Sequence, residues 1–261
     1  MWFPRLFLVV CLACGLVPAS AGADEPPSAT NARSPESDEE MRFWLENMIR
    51  HHGFSDAEVT QATGLSSDEI QELKNRFKIH AENKPAADSG KLLVLPYPGG
   101  RHPRIGFLEG AVEPQRETKV SVFLPWKDSG YVVADIPEAI WWNADGQREL
   151  LYLAHTHVPT AWTKQNVQLK ALEWTRQKDS TLRMERKLPN GVTFGTEVRP
   201  EKDGVKMRMW LTNGTEKTLT GLRVQNCVMF KGAPAFAALT NENKTFQSPT
   251  PPANPNKGNA M

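Results

Sequence analysis

Residues 181–198 read TLRMERKLPNGVTFGTEV, and this stretch decides the fold class. Apolar and polar residues alternate on both sides of Pro189, Asn190 and Gly191, so each side predicts a β-strand with one buried face. An Asn-Gly pair between two such runs is the strongest short-range signal of a β-hairpin, because both residues tolerate positive φ angles. The stretch therefore predicts two antiparallel strands joined by a tight turn.

The same alternation recurs outward from this hairpin, over residues 91–240. Val120 and Val122 alternate with polar neighbours in TKVSVFLPW, and VKMRMWL sets Met207 and Met209 on one face of a strand. NGTEKTLTGLRVQNCVMF supplies a further turn and strand. Consecutive hairpins without helices between them predict a mostly β domain, and we expect an antiparallel β-sandwich.

Residues 39–80 have a helical periodicity instead, with Phe43, Trp44, Met48 and Ile49 at helical spacing. Two capping boxes, each a serine followed three residues later by a glutamate, mark further helix starts: Ser55 with Glu58, and Ser66 with Glu69. We expect a small three-helix module that resembles a helix-turn-helix. His51 and His52, at the end of the first helix, are placed to interact with its terminal carbonyl groups.

Charge argues against nucleic acid as the partner of this module. The chain has 31 basic and 30 acidic residues, a formal net charge of +1. Asp68, Glu69 and Glu72 stand where a recognition helix would meet phosphates, which they would repel. The module is therefore expected to pack or to dock a protein partner.

The amino terminus predicts export. Arg5 precedes an apolar run from Leu6 to Val17 and then small residues suited to cleavage, so residues 1–23 read as a secretory signal peptide. The run is too short to span a bilayer, and a secreted or periplasmic chain without a membrane span is expected. Residues 24–38 and 241–261, which are poor in apolar residues, predict a disordered linker and a disordered tail.

Two histidines in LAHTHVP, His155 and His157, are the first candidates for chemistry. Residues two apart on a strand share a face, so both imidazoles could bind one divalent transition metal if a third ligand joined them. The alternatives are proton carriers in a polar cleft, or bonds to the backbone where the strand ends. Candidate third ligands are His102, Glu109, Glu117 and Glu138.

A second candidate region is the loop PYPGGRHPRIGFLEG, which offers Arg101, His102, Arg104 and Glu109. Guanidinium groups form fixed forks that suit hydroxyl-rich or carboxylated ligands. The alternative is that both arginines pair internally with glutamates of the same connection.

The third hint is a count of eight tryptophans, several of them between this loop and the central hairpin. They are Trp126, Trp141, Trp142, Trp162 and Trp174. Exposed indole rings stack on sugars, whereas buried rings fill a sandwich core, and both interpretations stay open. Trp162 is the candidate for contact with a substrate.

Several long motifs resemble a group of uncharacterised exported bacterial proteins of the planctomycete type, over about residues 41–246. They include LLVLPYPGGRHPRIGFLEGAVEPQRETKVSVFLPW, YLAHTHVPTAW and MERKLPNGVTFG. The group has no established activity to carry over. Its members continue with further strands, including a cysteine-rich stretch, where this chain reads SPTPPANPNKGNAM.

The strand pair in LTNGTEKTLTGLRVQNCV is similar to that of galactose mutarotase-like sandwiches, which bind or transform carbohydrates. In that family a histidine and a glutamate act as acid and base, parts that would fall to His155 or His157 with Glu109. We therefore expect a carbohydrate or polyol in a cleft lined by these residues and by the candidate binding residues Arg101, His102, Arg104 and Trp162. A non-catalytic interaction module and a metal-dependent enzyme are the alternatives.

Overall fold

The computed structural model describes residues 32–81, 92–105, 116–126, 130–154, 158–236 and 238. Three of the predicted site residues, Glu109, His155 and His157, lie outside these ranges, as do the predicted signal peptide and tail. No helix of the described residues is long and apolar enough to cross a membrane.

Three α-helices open the described chain: α1 (Asp38–Leu45), α2 (Asp56–Thr63) and α3 (Ser67–Phe77). α1 continues without a break as a π-helical turn, Glu46–His51. Both predicted capping boxes are confirmed, because in α2 and α3 the serine hydroxyl accepts from the glutamate amide while the glutamate carboxylate accepts from the serine amide.

The described residues that follow form nine β-strands: β1 (Leu93–Pro96), β2 (Lys119–Phe123), β3 (Tyr131–Ala144), β4 (Gln147–Leu153), β5 (Thr175–Arg176), β6 (Leu182–Lys187), β7 (Thr193–Pro200), β8 (Val205–Thr212) and β9 (Thr220–Met229). They form two antiparallel sheets. The first has the order β1-β2-β3-β4, with β9 also paired to β3, and the second has the order β5-β6-β7-β8.

The predicted hairpin at Asn190 and Gly191 is confirmed. Lys187 pairs with Thr193, and the antiparallel register continues to Leu182 and Val198. Gly191 has a φ of 96°, which glycine adopts without steric cost.

The two sheets share one apolar core, in the arrangement of a β-sandwich. The first sheet contributes residues such as Val120, Ile140 and Leu151, and the second contributes Phe194 and Val198. The prediction of a mostly β chain with antiparallel sheets and three helices is therefore confirmed.

A second apolar cluster joins the helices to the outer face of the first sheet. Leu45, Met48, Val59 and Ile70 of the helices pack in it with Val133 of β3. Apart from much of β9, the first sheet is thus covered on one face by the second sheet and on the other by the helices.

Candidate functional site

The predicted loop residue Arg101 lies between the helices and the first sheet. Its Nε is 2.5 Å from Glu58 Oε1 and its Nη2 is 3.0 Å from Glu58 Oε2. The guanidinium also lies over the ring of Phe54, 4.5 Å from its centroid, and donates to the Tyr131 hydroxyl at 3.2 Å. Arg101 therefore joins a helix to β3.

The ion pair shifts the pKa of both partners. Burial alone would lower the pKa of Arg101 and raise that of Glu58. Burial is the largest single effect on each group, but the hydrogen bond and charge attraction between Arg101 and Glu58, with further contributions from Tyr131 and Ser55, together outweigh it. The pKa of Arg101 therefore lies above its ordinary value and that of Glu58 below it. Both groups are held in their charged forms.

His102 and Arg104 also have structural partners. His102 is buried, and its Nδ1 accepts from the backbone N–H of Arg104 at 3.1 Å. Arg104 Nη2 lies 2.6 Å from Oε1 of the buried Glu138, whose other oxygen is 2.5 Å from Gln225 Nε2. Both arginines of the loop thus form internal ion pairs, with carboxylates on α2 and β3.

Trp162, the predicted sugar-contacting ring, is buried in the core between the sheets. Its Nε1 donates to the backbone oxygen of Leu151 at 2.8 Å. The ring is therefore placed as a core side chain with its one polar atom satisfied.

His52 lies at the same contact between the helices and the first sheet. Its Nδ1 is 2.9 Å from the backbone oxygen of Asn47, a helix carbonyl as its position predicts, and its Nε2 is 2.7 Å from Ser121 Oγ. Burial lowers the pKa of His52 from 6.5 to about 3, so the imidazole is neutral at pH 7. We call His52, Glu58, Arg101, Ser121 and Tyr131 the helix–sheet junction.

A cavity of about 850 Å³ opens elsewhere, between α1 and β5. We call it the α1–β5 cavity. Its wall combines the segment before α1, α1 itself, the residue Arg116 before β2, and the segment that ends in β5. The lining residues are Arg33, Ser34, Pro35, Glu36, Glu39, Glu40, Trp44, Arg116, Ala171, Glu173, Trp174, Thr175 and Arg176.

The three arginines of the cavity have carboxylate partners. Arg33 Nη1 lies 3.1 Å from Glu173 Oε1, Arg116 Nε lies 3.2 Å from Glu173 Oε2, and Arg176 pairs with Glu40. Arg116 also stacks over the ring of Trp44, 3.5 Å from its centroid. Burial lowers the pKa of Arg116 to about 10, although the nearby carboxylate of Glu173 acts in the opposite direction.

Several donors of the cavity residues form no hydrogen bond with the described residues. They are the buried groups Arg33 Nε, Arg116 Nε and Trp174 Nε1. The contact of Arg116 Nε with Glu173 is an ion pair without hydrogen-bond geometry. A buried donor without an acceptor costs about 1–3 kcal/mol, and native proteins leave few of them.

A smaller cavity, of about 510 Å³, lies beside β6. Lys170, Arg186 and Lys187 line it together with aliphatic residues, and its lining contains no aromatic ring. The α1–β5 cavity differs in having two indole rings in its lining, Trp44 and Trp174, both of them largely buried.

Sequence reasoning missed this cavity. Trp174 was noted only as one of several tryptophans, and Arg33 falls in the segment predicted to be a disordered linker. Both the backbone and the side chain of Arg33 form hydrogen bonds. Its backbone N–H donates to Ala62 O at 3.0 Å, and its Nη1 donates to Leu172 O at 2.7 Å. In the sequence, a single arginine within a polar segment was the sign of this position.

The described residues contain no group of three or more His, Cys, Asp or Glu side chains that could hold a metal ion. Comparisons with protein-family models, with curated proteins and with solved structures give no match for the chain. The site is therefore interpreted from its own geometry.

Proposed function

We propose that the protein binds a carbohydrate or a related polyol in the α1–β5 cavity. The single observation that carries the proposal is the lining, in which indole rings, guanidinium donors and carboxylate acceptors surround one hollow of about 850 Å³. A hydroxyl group both donates and accepts hydrogen bonds, so a hydroxyl-rich molecule can bond to the donors and to the acceptors of the lining. The size suits a small ligand.

The charge of the lining favours a neutral ligand over an anion. The lining contains three arginines and four glutamates, and each arginine already has a carboxylate partner. An anion would have to compete with these glutamates. A polyol, in contrast, donates to the carboxylates and accepts from the guanidinium and indole N–H groups.

Two resemblances are consistent with this proposal. The planctomycete-type motifs and the predicted signal peptide of residues 1–23 support an exported protein. The likeness of the segment from the end of β8 through β9 to galactose mutarotase-like sandwiches supports a carbohydrate as the ligand. Both resemblances are used only as support for the proposal.

The test uses two tryptophans of similar burial. Binding to an array of neutral and acidic oligosaccharides identifies a ligand, and calorimetric titration then compares Trp174→Phe with Trp162→Phe. Trp174→Phe keeps a ring but removes the N–H, so affinity should fall by about tenfold, the equivalent of one hydrogen bond. Trp162 lies outside the cavity lining, so its variant should bind like the wild type.

The proposal fails if no glycan is retained, or if both tryptophan variants bind with unchanged affinity. A strong preference for acidic oligosaccharides would contradict the argument from charge. These outcomes can be read only when circular dichroism shows that each variant is folded.

In this proposal, His155 or His157 acts together with Glu109 as acid and base on the bound sugar. Elemental analysis of the purified full chain tests the metal-dependent alternative. About one divalent ion per chain, lost when both histidines are replaced by alanine, would support it. Unchanged glycan binding and turnover in the same double variant would remove the histidines from the site.

A further inference from the structure

The inner face of the first sheet, which forms the sandwich core, is uncovered at β9. Two rows of paired residues cross the sheet on this face, Val120–Ala134–Val228 and Tyr152–Ile140–Val224. In each row the residues on β2, β3 or β4 are buried in the shared core. The last member is exposed, by 51% at Val228 and by 42% at Val224.

The uncovered face extends along most of β9. Leu222 is 42% exposed, and Phe230, the next residue of the same parity beyond the strand, is 36% exposed. Large exposed apolar side chains that cluster on one protein surface mark a site of interaction. Here they are Leu222, Val224, Val228 and Phe230, a stripe that the polar residue Asn226 interrupts between Val224 and Val228.

β9 is also an edge strand of ten residues. It pairs with β3 on one side, and no strand of the described residues pairs with its other side. Two register shifts interrupt the pairing of β9 with β3, and Gly221 has a φ of 59°, so this edge presents backbone donors and acceptors for an added strand in shorter regular stretches.

The other face of β9 carries positive charge. Arg223 is exposed and pairs across the sheet with Trp141, and Arg148 lies over the same ring, 5.1 Å from its centroid. Within the described part of the chain neither arginine has a carboxylate partner. The carboxylates of β3 are engaged elsewhere, Asp135 with Lys119 and Glu138 with Arg104.

β8, the edge strand of the second sheet, shows a contrasting pattern. Met207 on its inner face is 41% exposed, but Lys206 and Arg208 flank it on the other face. Charged side chains on an edge strand, lysine above all, discourage pairing with other chains. β9 has one charged residue in its whole length, Arg223.

From these observations we infer that β9 is a docking edge for an extended segment of a partner protein in which apolar residues alternate with acidic ones. The segment adds to the first sheet by backbone hydrogen bonds. Its apolar residues cover the stripe on the inner face, and its carboxylates meet Arg223 and Arg148 on the outer face. This function is independent of the carbohydrate site.

Two synthetic probes test the inference: a labelled, end-blocked peptide of alternating glutamate and valine, and its lysine–valine counterpart. Fluorescence anisotropy with the full chain should show saturable binding of the acidic peptide. The basic peptide should bind at least about tenfold more weakly, because its charge repels both arginines.

Three variants locate the contact. The double change Val224→Lys with Val228→Lys should weaken the acidic peptide by about tenfold or more, since it replaces the apolar stripe by charge. Met207→Lys, at a residue of equal exposure on β8, should leave binding unchanged. Arg223→Glu leaves the stripe intact and should reverse the preference between the two peptides.

The inference is overturned if both peptides bind equally, if neither binds, or if Met207→Lys weakens binding as much as the double change on β9. Sedimentation of the chain alone is the remaining control. A wild-type dimer that the double change dissociates would assign the edge to a second copy of this chain and overturn the assignment to an acidic partner.

Discussion

The helix–sheet junction and the α1–β5 cavity are built from the same chemical groups and use them differently. In the junction, Arg101 and Glu58 form a close ion pair, and both nitrogens of His52 have partners. In the cavity, buried N–H groups of Arg33 and Trp174 have no acceptor among the described residues. An ion pair between an arginine and a carboxylate is therefore a poor indication of a binding site. Buried N–H groups without an acceptor are a better one.

The largest expected effect comes from acidifying the junction. The pKa of His52 is about 3 in the folded chain and 6.5 in the unfolded chain, so only the unfolded state binds a proton between these values. The free energy of unfolding should fall as pH drops below about 6.5, by about 3 kcal/mol at pH 4. Urea unfolding over a pH series measures it.

His52→Gln is the reference for this measurement, because it removes the titrating group. The variant should lose part of the pH dependence between pH 6.5 and 4. A full pH dependence in the variant would exclude His52 as its origin.

Breaking the ion pair of the junction should have the next largest effect. Glu58→Ala leaves Arg101 half-buried without its carboxylate and also removes a capping box, so it should destabilise by about 2–3 kcal/mol. Glu69→Ala is the matched control, since Glu69 holds the same position in the capping box of α3. Equal midpoints of urea unfolding in the two variants would show that the ion pair adds nothing.

The smallest expected effect comes from comparing two tryptophan N–H groups, one with a hydrogen-bond acceptor and one without an acceptor among the described residues. Trp162→Phe removes a hydrogen bond to Leu151 O and should cost about 1 kcal/mol. Trp174→Phe removes an N–H that has no acceptor among the described residues, so its cost should be smaller. Thermal unfolding of the unliganded variants gives the order, and a larger loss for Trp174→Phe would contradict the comparison.

Local signals allowed much of the fold to be predicted. The Asn190–Gly191 turn and the capping boxes of α2 and α3 are each specified by residues within a few positions of one another. The hairpin between β3 and β4 was not predicted, although Asp145 and Gly146 both have positive φ, 48° and 80°, as a two-residue turn requires.

The cavity could not be predicted in the same way. Its wall joins residues from separate parts of the chain that share no spacing, namely Arg33, Trp44, Arg116 and Arg176. The exposed face of β9 was equally hidden, because alternation of Val224 and Val228 predicts a strand but not whether another sheet covers it. Both depend on how the sheets pack.

The close approach at Gly100 has a mechanical consequence. Gly100 has a φ of 74°, and a Cβ there would lie 2.3 Å from the backbone oxygen of Glu58, so α2 rests directly on the chain that follows β1. Together with the junction, this contact holds α2 on the first sheet. If the α1–β5 cavity widens for a ligand, we expect the opposite wall, residues 171–176, to be the part that moves.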